Sequence, residues 1–106
     1  MRKLRLENMV KGWFIGNITP AAVNTGACEV AVKHYAPGTH DPHHHHKIAT
    51  EVTVIVTGEV EMNGARYHTG DIIVIEPHES TDFKVLSPTT TVVVKLPGAN
   101  DDKYLD

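Results

Sequence analysis

The chain has 106 residues, a formal net charge of -3 and one cysteine. That suits a single domain spanning 1–106, gives no electrostatic case for binding nucleic acid or an anionic membrane, and excludes an internal disulfide. Arg2, Lys3 and Arg5 are not followed by an apolar stretch long enough for a signal peptide or a membrane span, so a reducing cytoplasm is the expected setting. The pattern is β-type almost throughout. Trp13–Ile18 is a short strand candidate, 20–26 a loop, and Cys28–Tyr35 an alternating strand with Cys28, Val30, Val32 and His34 on one parity. We expect Cys28 to be a small packed residue and His34 to be packed or pocket-lining. Pro37-Gly38 turns the chain into a histidine run. Glu51–Thr57 is rich in β-branched residues and is broken by Gly58. Asn63-Gly64, between Glu59–Met62 and Ala65–Thr69, is a strong hairpin signal, because a type I′ turn needs positive φ at both central residues. Further strands are expected at Ile72–Ile75, Phe83–Leu86 and Thr89–Leu96, followed by a polar, acidic tail over 98–106 that is expected to be loosely held. Many short strands with regular turns predict an all-β sandwich or barrel.

The chemistry concentrates in residues 38–58. Imidazoles and a carboxylate stand just ahead of and on a β run, and that donor set suits divalent iron, manganese, nickel or zinc. A histidine tag would sit at a terminus, whereas this run is internal. A solvated His-rich loop would leave the flanking Gly, Pro, Glu and Gly without a role. Residues i and i+2 on a strand point the same way, so His44 and His46 can converge on one ion. Glu51 falls on the opposite parity from His46.

Read as Gly38, His44, His46, Glu51 and Gly58, the stretch is G-x5-H-x-H-x4-E-x6-G, and it resembles the first motif of the cupin superfamily without gap or shift. Pro42 sits where cupins often carry a proline. The resemblance implies a double-stranded β-helix or jelly-roll barrel, a divalent ion held by His44, His46 and Glu51, and a bulge or turn over 47–50 that lets the three groups meet. Residues 70–83 resemble the second cupin motif, G-D-x4-P-P-x3-H-x-F. Gly70, Asp71, Pro77 and Phe83 match. Glu76 replaces the first proline, His78 stands where a glycine is common, and Thr81 stands where the fourth ligand, a histidine, is usual.

The resemblance implies a pocket that Thr53, Ile55 and Thr81 would line, with His40 and His78 as candidate extra ligands or rim residues. His43 and His45 lie on the other parity and are expected to face solvent or a neighbouring chain, and His68 to be exposed. Glu76 and Glu79 read as solvated turn carboxylates. If Glu51 faces the pocket, Val52, Val54 and Val56 face away and want cover, so a homodimer is expected. The function implied is a metal-dependent enzyme of oxygenase, isomerase or lyase type acting on a small polar molecule, the alternative being a non-catalytic binder of a small, sugar-type ligand. There is no G-x-S-x-G elbow, no Walker-type loop and no H-E-x-x-H helix.

Overall fold

A computed structural model describes all residues, 1–106. After one 3-10 turn at Leu6–Asn8, eleven strands follow: β1 Trp13–Gly16, β2 Val23–Asn24, β3 Glu29–Tyr35, β4 His40–His45, β5 Thr50–Thr57, β6 Glu59–Met62, β7 Ala65–His68, β8 Ile72–Ile75, β9 Thr81–Val85, β10 Thr89–Leu96 and β11 Tyr104–Leu105. They form a six-stranded sheet in the order β2-β1-β3-β10-β5-β8 and a five-stranded sheet in the order β11-β4-β9-β6-β7. All contacts within each sheet are antiparallel except the short β1–β2 pair. No helix is long and apolar enough to cross a membrane.

The β-branched run of β5 sits next to the centre of the larger sheet, paired with β10 on one side and β8 on the other. Its alternation sorts as expected. Thr53 and Ile55 are buried, while Val52, Val54 and Val56 lie on the outer face. Between the sheets, Ile55, Val60, Met62, Ile75 and Val85 form the apolar core, with Tyr35, Tyr67, Ile73 and Phe83 packed against it. Burying side chains of this size contributes about 1.5–3 kcal/mol each. Asn63 and Gly64 have φ of 49° and 78°, as a type I′ turn between β6 and β7 requires.

Three expectations need correction. On β3 the parity that faces inward is Glu29, Ala31, Lys33 and Tyr35; His34 is exposed on the outer face, its Nδ1 2.9 Å from the Thr90 hydroxyl. The inner face of a polar cavity does not read as the apolar parity. The histidine run is itself a strand, β4, with a bulge between Asp41 and His44 where it pairs with β9. The tail is pinned rather than loose. β11 pairs with β4, and the Asp102 carboxylate is only 3% exposed.

Candidate metal and ligand site

Chain order brings β4 and β5 together in sequence but places them in opposite sheets. His44 and His46 therefore enter the interior from one sheet and Glu51 from the other, which resolves the parity mismatch between them. The turn between the strands is shaped by the tail. Asp102 accepts hydrogen bonds from the backbone N–H groups of Lys47 (3.0 Å), Ile48 (3.0 and 3.2 Å) and Ala49 (3.0 Å). Burial works against its ionised form, but the three N–H donors together outweigh it and hold the carboxyl below its usual range. On the other side, the His78 N–H donates to the His46 carbonyl at 2.6 Å.

The interior encloses a cavity of about 290 Å³ whose wall includes His44, His46, Glu51, Thr53 and Thr81. The rings of His44 and His46 meet edge to face with centroids 5.5 Å apart. His44 Nδ1 lies 2.9 Å from the Pro42 carbonyl oxygen. That bond fixes the Nδ1–H tautomer and leaves Nε2 with its lone pair. His46 is only 4% exposed. Burial, then the positive charges of Lys95 and His44, push its pKa down to about 4, so it is neutral at pH 7. Burial raises the Glu51 carboxyl above its ordinary range against the pull of Lys95 and His44.

Of the other residues expected at the site, Ile55 is fully buried but belongs to the core cluster rather than to the cavity wall, where Met62 and Ile75 stand instead. His40 is exposed, with Nε2 3.6 Å from Asp82, and lies outside the cavity. His78 is exposed on its turn with φ 71°. His43 bonds Asn63, and His45 is held under the tail by Asp106 and stacks on Tyr104. Glu76 and Glu79 are exposed turn residues, as expected.

Several wall residues carry no motif signal: Tyr35, Asp41, Thr91, and the lysines Lys11, Lys33, Lys95 and Lys103. Burial, then the charges of Glu51 and Asp41, raise the Tyr35 phenol to about 12, which keeps it a proton donor. The Thr91 hydroxyl is buried without a hydrogen-bond partner; Tyr35 lies beside it but outside bonding geometry. A larger, open groove of about 800 Å³ lies outside, between the N-terminal segment and β3, and holds none of the candidate ligands.

No family model and no curated protein matches this chain. Solved structures do. A double-stranded β-helix protein from Klebsiella pneumoniae is 27% identical over 76% of this chain and 71% of its own, with a TM-score of 0.68. A cupin protein from Bacteroides fragilis is 20% identical over 78% of this chain and 76% of its own, with a TM-score of 0.59. The chain has the cupin fold. Another protein of this fold, the DMSP lyase DddQ from Ruegeria pomeroyi, is 20% identical and aligns with 97% of this chain but only 55% of its own, with a TM-score of 0.72.

The donor chemistry of the cavity fits a divalent cation: two imidazoles, one with its tautomer fixed by the Pro42 carbonyl, and a carboxylate opposite. No three His, Cys, Asp or Glu side chains are gathered tightly enough to hold a metal ion in this structure.

Proposed function

We propose that this cupin binds a divalent cation, of the iron, manganese, nickel or zinc kind, and acts on a small polar molecule inside the barrel. The observation that carries the reading is the presence of His44 and His46 together in the wall of one partly enclosed cavity, with Nδ1 of His44 already committed to the Pro42 carbonyl. His44, His46 and Glu51 would hold the ion, which would supply a Lewis acid for a carbonyl or hydroxyl. Tyr35 donates a hydrogen bond or proton from the wall, Thr91 offers an unused hydroxyl, and the enclosing sheets exclude bulk water. A lyase among proteins of the same fold supports an enzymatic role.

The test is elemental analysis of untagged protein beside the H44A/H46A double variant. We expect one equivalent of metal, lost in the variant together with activity. Retention of metal and activity in the variant would overturn the reading.

A second reading, capture of a small ligand without turnover, is favoured by Thr81, which lines the cavity at the usual fourth-ligand position. Ligand binding that persists after complete metal removal would support it.

We also propose a homodimer. Val52 pairs with Val74 and Val54 with Ile72 across the outer face, leaving Ile72 65% and Val74 52% exposed. The free thiol of Cys28 suits a reducing, cytoplasmic setting.

A further inference from the structure

The cavity wall carries four lysines, Lys11, Lys33, Lys95 and Lys103, against two carboxylates, Asp41 and Glu51. The whole chain, by contrast, has a net charge of -3. Lys103 is neutralised by Asp41 at 3.0 and 3.2 Å. The lysines that form ion pairs anywhere in the molecule are Lys84 and Lys103. Lys11, Lys33 and Lys95 therefore stand without a paired carboxylate.

Two of these lie against the same aromatic ring. The ammonium of Lys33 lies 4.9 Å and that of Lys95 5.1 Å from the centroid of the same Trp13 ring. Lys33 donates to the Lys11 backbone carbonyl at 3.0 Å, which fixes its reach and draws the Lys11 segment to the wall. Lys95 sits in the ladder between Glu29 and Glu51, so pairing with either was available to it. Neither carboxylate takes it: Glu29 accepts the Ala99 N–H at 3.1 Å instead. Two like charges are thus held on one indole, at the rim of a partly enclosed space, and neither is in a salt bridge. Burial and the ammoniums of Lys95 and Lys11 already push the Lys33 amine below its usual range, a push that a bound anion would oppose.

We infer that the cavity takes a small organic anion, a carboxylate or phosphate ester, whose acidic group sits between Lys33 and Lys95 beside Trp13 while its remaining polar part faces His44, His46 and Glu51. This deepens the proposed ligand site but does not depend on a bound cation. Size bounds the class. A cavity of about 290 Å³ holds roughly ten water volumes, which suits a short acid. The lysines act as point charges with rotatable donors, so they recognise charge rather than one planar geometry. A low-dielectric wall focuses their field on the opening and raises the local concentration of anions.

Trp13 is the only tryptophan, so its fluorescence reports the site directly. The full chain is titrated with succinate, with glycerol phosphate and with the neutral succinamide. We expect a saturable change with at least one of the anions and none with succinamide. Charged hydrogen bonds of this kind predict that K33Q and K95Q each weaken binding by about tenfold or more, and that K33R and K95R restore most of it. Thermal melts confirm that the variants are folded. The same titration on H44A/H46A, beside its metal content, separates the two readings. An anion response that survives loss of the metal supports this inference independently. Metal-loaded wild type that answers neither anion, or answers succinamide equally, overturns it and leaves the cation reading intact. Folded K33Q and K95Q proteins that bind the anions as well as wild type also overturn it.

Discussion

Replacing Asp102 by alanine removes the acceptor that shapes the turn between β4 and β5. The carboxylate is 3% exposed and takes three backbone N–H groups at 3.0–3.2 Å. Ala49 is buried, so its N–H would be left without a partner, at a cost of about 1–3 kcal/mol. Lys47 and Ile48 are exposed residues whose N–H groups would recover water, and their loss is about 0.5–1 kcal/mol each. The sum is about 2–5 kcal/mol. For a domain of this length that lowers Tm by roughly 10–20 °C. Asp102→Asn keeps one acceptor oxygen and should fall between wild type and Asp102→Ala. Calorimetry or a circular-dichroism melt measures both. The turn carries His46 at one end and Glu51 at the other, so cation affinity should fall along with Tm. An Asp102→Ala protein melting within about 2 °C of wild type would refute this account of the tail. The pH dependence has a definite sign. Because the folded carboxyl has the lower pKa, its contribution is full above the ordinary carboxylate range and is lost as pH falls through the folded value.

His46 gives a second pH signature. With a folded pKa of about 4 against an ordinary 6.5, the metal-free protein keeps this contribution above pH 6.5 and loses it as pH falls toward 4, because there the unfolded chain takes up a proton that the folded chain refuses. Urea melts across that window should show the slope in wild type and its reduction in His46→Gln. Gly58 has φ 112°, and a Cβ there would press on the Thr89 hydroxyl and come within 2.6 Å of the Pro88 carbonyl oxygen. Gly58→Ala should therefore cost about 2–4 kcal/mol by denaturant titration. Light scattering of wild type should give about twice the 11.7 kDa chain mass, and Ile72→Asp should return a monomer; a monomeric wild type ends the dimer proposal.

The sequence was most legible where a residue type is demanded by backbone geometry or by chemistry at fixed spacing. Asn63-Gly64 announced its turn because few other pairs adopt two positive φ angles. His44, His46 and Glu51 were expected at one site from the motif resemblance, since parity alone set Glu51 apart; the structure has all three among the residues lining one cavity, but not gathered into a cluster that could hold an ion. The lysines were not found. Lys33 and Lys95 lie on strands whose inward parity is polar, and alternation marks the outward valines Val30, Val32, Val92 and Val94 as the apolar face just as readily. A lysine on the same parity as Tyr35 was the available hint. Ile55 was on the correct face but one layer too deep, because depth along a strand depends on where the opposite sheet closes over it. Asp102 could not be recognised at all. Its partners lie more than fifty positions away, and an acidic residue in a polar tail has no local pattern that distinguishes a buried acceptor from a solvated one.

Drawing its nitrogen donors from one sheet and its acid from the other makes the centre a gauge of the sandwich. Any slippage or breathing of the two layers changes the imidazole-to-carboxylate gap directly, whereas neighbours on a single strand would move together and register nothing. Under the proposed cation binding, occupancy and cohesion of the barrel would be coupled quantities: an ion that drew the donors together would also clamp the layers, and loosening the layers would weaken the grip on it.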